Sequence, residues 1–258
     1  MTTPVTPSPA DTVAASPAPR TPGALLALYR LVLRHQLTRG RLALFAAVTA
    51  LSVALGWIIG RASDNQVQDA VDTVSALGLG LIVPVVALVL GSAALGTWVE
   101  DETLVYVWLR PVRRVAVAVA ATAAAATVVL PVTVGALSLL AALGTGGDAD
   151  AIIGTAAGTA LGGLAYTAVF VALGLVIRRA LLWGLVYVFI WEFFVARAGD
   201  GAARLSINSY AASILADLSG IEIRLADRGT VTSYVVLGLV SAVAVGLTTW
   251  RLSRANVA

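Results

Sequence analysis

The sequence predicts an all-α, polytopic membrane protein with six transmembrane helices, an N-terminal interfacial helix and a short external amphipathic helix. Three observations predict it. Apolar residues make up 59% of the 258 residues and the mean hydropathy is +0.92. Charged residues make up only 12%, about half of what a soluble domain carries. The apolar residues also fall into six long runs, at about 42–60, 77–99, 115–143, 151–177, 180–196 and 231–250. Most of these reach the roughly 20 residues that cross about 30 Å of hydrocarbon, and the fifth is at the short end of the range.

Composition also removes function classes. The chain has no cysteine, which excludes disulfides, thiolate nucleophiles and cysteine-ligated metal. All seventeen basic residues are arginine, so a phosphate-binding loop ending in Gly-Lys-Ser/Thr and any Schiff-base chemistry are excluded. The net charge of +3 and pI near 9.7 do not indicate nucleic acid, because the arginines flank apolar runs instead of forming a stripe interleaved with aromatics. No catalytic or metal-binding constellation is visible, and the chain is not expected to be an enzyme or to hold a cofactor.

Residues 1–23 hold six of the nine prolines and only Asp11 and Arg20 as charges. They read as a disordered cytoplasmic tail, without the basic start and apolar run of a signal peptide. Residues 24–258 form the transmembrane domain. Its first part, 24–41, sets Arg30, Arg34, Thr38 and Arg41 at helical spacing, with Leu26, Tyr29, Leu33 and Leu37 largely on another side. This predicts an interfacial helix facing lipid headgroups. His35, the only histidine, lies within it and receives no chemical role.

The arginines set the orientation. With the N-terminus inside, the cytoplasmic segments carry twelve arginines and four acids, and the external ones five arginines and nine acids. The positive-inside rule therefore places both termini in the cytoplasm of a multi-pass cell-membrane protein.

The stretch 98–114, WVEDETLVYVWLRPVRR, interrupts this apolar text with Glu100, Asp101 and Glu102, then Arg110, Arg113 and Arg114. It is expected in water, joining two spans on the cytoplasmic side. Its charges and its apolar anchors Leu104, Tyr106 and Trp108 suit a docking surface for a soluble motor; a solvated connector is the plainer alternative.

Pro84 and Pro131 fall inside spans and predict kinks. Gly154, Gly158 and Gly162 leave a smooth helix face for close packing, within the chain or between two chains. Between the last two runs, LSINSYAASILADLSG places Ile207, Tyr210, Ala211, Ile214, Leu215 and Leu218 on one face and Ser209, Ser213 and Asp217 on another, with Gly220 as a stop. This predicts a short amphipathic helix against the outer end of the bundle.

Glu192 is the one acid inside an apolar run. It lies 13 residues past Arg179, roughly 20 Å into the membrane from the cytoplasmic side. An acid there should not face lipid. It either anchors the external helix or lines a translocation path, for which Tyr187 and Tyr166 are further candidates.

In order, the elbow helix, IVPVVALVLGSAALG, EDETLVY leading into LRPVRR, and the W-E pair followed by LSINSY resemble the permease subunit of type-2 ABC transporters, in its six-span form encoded apart from the ATPase. The resemblance covers nearly everything after residue 24. It implies that a coupling helix docks on the ATPase through Glu100, Asp101, Glu102, Thr103, Leu104, Leu109, Arg110, Pro111 and Arg113. Many relatives carry a glycine before the threonine, where this chain has Glu102. The resemblance further implies an exporter with two copies of an ABC ATPase subunit, ATP and Mg on that subunit, and a second permease chain forming a homodimer in the bilayer. A secondary transporter, or a membrane assembly factor without transport activity, is the alternative.

Overall fold

The computed structural model describes residues 21–36, 38–100, 114–194, 203–223 and 228–254. Among these the protein is all-helical. Helix α1 (Thr21–Gln36) is followed by α2 (Arg39–Ala62) and α3 (Gln66–Thr73), which continues through a π-helical segment, Val74–Ile82, into α4 (Val83–Glu100). Then come α5 (Arg114–Gly144), α6 (Ala149–Val176) and α7 (Ala180–Val186), the last running into a second π-helical segment, Tyr187–Phe194. Helices α8 (Ile207–Ser219) and α9 (Thr230–Arg254) are the last of the described elements.

Among the described residues, five helical stretches are long and apolar enough to cross a membrane: Arg39–Ala62, Gln66–Gly96, Arg114–Gly144, Ala149–Val176 and Thr230–Arg254. The fifth apolar run differs from expectation only in how much of it is described. Its described helical part, Ala180 to Phe194, covers about 22 Å at 1.5 Å per residue, and the end of the run, 195–196, lies outside the described residues. Among the described residues, five helices are of spanning length and one apolar helix is shorter, where the sequence predicts six spans. The second span also differs: its helix begins at Gln66, eleven residues before the expected start at 77, because Ala70 and Val71 pack into the core and extend the helix through a polar stretch.

Helix α6 is the centre of the bundle and packs against α4, α5, α8 and α9. Its small residues make this possible, since helix backbones approach closely only where no side chain intervenes. A Cβ on Gly174 would collide with the Ser92 carbonyl of α4. On the opposite flank, a Cβ on Gly154 would lie 2.9 Å from the Leu215 carbonyl, and one on Gly158 would lie 2.7 Å from the Ala211 carbonyl. The glycine stripe therefore serves packing within the chain, and its partner is α8. Helix α2 leans on α5 in the same manner, with Gly56 and Gly60 against the Leu140 and Leu143 carbonyls.

The connections follow from local chemistry. Gly146 and Gly147, at φ 68° and 96°, take the left-handed conformation that a tight turn needs. Asp148 then caps α6 by accepting the Ala151 amide at 2.8 Å, which satisfies one of the free donors of the first turn. Arg179, at φ 68°, is the single non-glycine residue with positive φ among those described, and it breaks the chain sharply between α6 and α7.

Helix α1 starts at Thr21, inside the stretch read as the tail; residues 1–20 lie outside the described residues. Arg39 and Arg41 belong to α2, not to the interfacial helix. Arg30 and Arg34 are exposed while Val32 is buried, and α1 packs on α5 and α4. Gln36 fastens it: its amide donates to the Leu90 carbonyl at 2.9 Å.

Candidate functional site: a buried carboxylate at a helix N-terminus

The six long runs leave few places for polar chemistry. Two surface grooves of about 410 and 260 Å³ are lined by apolar side chains alone, the larger by α6 and α9 and the smaller by α2, α4 and the α7 region. The polar side chains gather instead inside the bundle, around Glu192.

Glu192 is fully buried. Its position follows from the π-helical geometry of Tyr187–Phe194. In an α-helix, residues five apart diverge by about 140°, so Tyr187 and Glu192 would point to different sides. The wider π turn, whose hydrogen bonds run from i to i+5, brings them together, and the Tyr187 hydroxyl donates to Glu192 Oε1 at 2.9 Å. Next to Tyr187, Phe170 packs edge-on at 6.3 Å and stacks on Tyr166 at 6.0 Å.

The other contacts of Glu192 come from the start of α8. The Ser206 hydroxyl donates to Oε2 at 2.5 Å and the Ile207 amide donates to Oε1 at 3.2 Å. Ser206 is the N-cap residue of α8. The carboxylate thus sits at a helix N-terminus, where unpaired amides and the helix dipole favour an anion. This is how an acid is accommodated in an apolar bundle: three donors replace the water it has lost.

The geometry brings the predicted path residues Glu192, Tyr187 and Tyr166 together. Tyr166 is fully buried. Its hydroxyl lies beside the Glu192 carboxylate and the Asn208 backbone, but makes no hydrogen bond of sound geometry to either. Sequence reasoning did not single out Ser206 or Asn208. The available signal was a serine directly before an amphipathic helix, the usual N-cap residue, 14 residues after an intramembrane acid in need of donors.

Ser209 and Ser213, which the spacing sets with Asp217 on the second, polar face of α8, are buried. Their hydroxyls donate to backbone carbonyls, Ser209 to Ala203 at 2.6 Å and Ser213 to Ser209 at 2.8 Å. Helix α8 is therefore enclosed against α6 and α9 with only Asp217 of that face exposed, because small hydroxyls that bond their own backbone can be buried at little cost.

The ATPase-coupling candidates fall elsewhere. Glu100 is the last residue of α4; Asp101, Glu102, Thr103, Leu104, Leu109, Arg110, Pro111 and Arg113 lie outside the described residues. They join α4 to α5, which pack against each other.

Compared with known proteins, the chain matches no family model and no curated relative. The functional reading accordingly rests on the residues themselves.

Proposed function

We propose that this chain is the membrane-spanning permease subunit of an ABC exporter, working with a separate ATP-hydrolysing subunit that docks on the cytoplasmic segment 98–114. The observation that carries the reading is the order of features along the chain: an elbow helix, a span ending in a cluster of three acids, an arginine-proline-arginine stretch opening the next span, and a buried acid followed by a helix that folds back. The segment 98–114 offers charges for register and aromatic anchors for affinity, and no lysine-bearing nucleotide loop exists in the chain to supply energy from within. In this reading two permease chains and two ATPase chains form the working unit, with ATP and Mg on the ATPase, and Glu192, Tyr187 and Tyr166 border the translocation path. The transported cargo passes outward.

Copurification from the native membrane tests the reading. A P-loop ATPase should accompany the tagged chain and the complex should hydrolyse ATP in a vanadate-sensitive manner. The substitution Glu102→Arg should weaken that association or uncouple hydrolysis while the chain still inserts, since like charges at a docking surface cost several kcal/mol. Purification without an ATPase, together with transport driven by an ion gradient, would assign the chain to the secondary transporters instead.

A further inference from the structure

Threonines in apolar helices normally return their hydroxyl to the carbonyl four residues earlier. Thr122, Thr133, Thr167 and Thr248 do so at 2.6 to 2.9 Å. Thr155 and Thr159 of α6, both fully buried, do not: neither hydroxyl has a hydrogen-bond partner. With Tyr166 they occupy positions i, i+4 and i+11, which lie along one stripe of the helix. That stripe runs beside the glycines that receive α8 and ends at the Tyr166 hydroxyl, next to Glu192. There, both amide atoms of Asn208 at the start of α8 are likewise buried without a protein partner. Buried polar atoms are almost always hydrogen-bonded, to protein or to ordered water, and these four residues hold five that have no protein partner.

We propose that this stripe is a buried hydration site: an ordered water molecule bridges Tyr166, Asn208 and Glu192, and the Thr155 and Thr159 hydroxyls extend the hydrated seam along α6. The chemistry selects water. Asn208 offers a donor and an acceptor, Tyr166 offers both, and the Glu192 carboxylate retains acceptor capacity beyond its three donors. A molecule with two donors and two acceptors meets all three groups, and two to four polar partners are what an internal water requires. Glu192 is thereby joined to a chain of hydroxyls, independently of whether the protein transports anything.

Thermal unfolding of the full chain in lipid nanodiscs tests this with Tyr166→Phe, Asn208→Leu and the double variant. Each single change should lower Tm. The double change should lower it by clearly less than the sum, because the Tyr166 and Asn208 side chains share no direct hydrogen bond and both lose the same bridging molecule. A rise in Tm for Asn208→Leu, as expected from removing an amide out of a dry site, would overturn the proposal, and so would additive losses. Should Asn208→Leu fail to fold, a map of the unaltered protein that resolves waters decides. A density peak within hydrogen-bond reach of both Tyr166 Oη and the Asn208 amide is expected, and its absence among other resolved waters overturns the site. Replacing sodium by choline should leave Tm unchanged; a fall would show that a cation, not water, occupies it.

Discussion

Glu192 shows at the scale of one residue how a carboxylate is kept inside an apolar bundle. Removing it leaves the Ile207 amide and the Tyr187 and Ser206 hydroxyls without their acceptor, and each orphaned donor costs about 1 to 3 kcal/mol. Glu192→Ala should therefore lower stability by several kcal/mol, read as a loss of helicity at lower temperature in circular dichroism. Glu192→Gln keeps the shape and the Oε1 acceptor and should cost under about 1.5 kcal/mol. If the charge belongs to the transport mechanism, the glutamine variant loses transport while assembly and Tm persist; a normal transport rate would show that the charge acts only on α8. That an acid lies here was legible in the sequence, as was its need to avoid lipid. Its donors were not, because Ser206 and Ile207 follow at a distance of 14 and 15 residues, and a separation of that length does not say which residues meet.

At the scale of elements, the glycines divide into those that face a backbone and those that do not. A Cβ on Gly158 would press on the Ala211 carbonyl at 2.7 Å, whereas one on Gly135 or Gly238 would meet nothing within 4 Å. Gly158→Ala should cost about 1 to 3 kcal/mol by forcing α8 away from α6. Gly135→Ala should be neutral or stabilise by up to about 1 kcal/mol through the restricted unfolded chain and the better helix propensity. Equal effects of the two substitutions on thermal unfolding would contradict the packing. The spacing of Gly154, Gly158 and Gly162 declared a contact face, and spacing alone cannot name the partner. Spacing also misjudged α8, whose serine face is buried, since periodicity records polarity and not whether a hydroxyl is already satisfied by its own backbone. The two π-helical segments, which touch each other, have no periodic signature in the text at all. One directly precedes Val83 and Pro84, where an imino nitrogen cannot complete an ordinary helical turn.

For the molecule as a whole, the expected orientation has a direct test, since the native chain contains no cysteine. A single cysteine at Asp148, in the turn between α5 and α6, should react with a membrane-impermeant thiol reagent from outside. One at Arg114, at the opposite end of α5, should react only after the membrane is opened. Reversed accessibility would invert the entire arrangement. Two arginine–tryptophan pairs sit near helix ends, Arg61 over Trp57 at 4.4 Å and Arg254 over Trp250 at 4.5 Å, as residues at a bilayer boundary do.

The sequence by itself determined that the chain is helical, apolar and multi-pass. Those properties are local: a run of apolar residues satisfies its own backbone only as a helix and has no stable place in water. It likewise determined where polar chemistry is scarce and which acid is out of place. Only the tertiary structure decided that α6 is the hub, that its glycines receive α8, and that Glu192 holds the start of α8 beside Tyr166 and Asn208. Each of these depends on residues far apart in sequence meeting across helices, and a meeting of that kind is fixed by how side chains of particular size fill the space between two backbones, which no window along the chain contains.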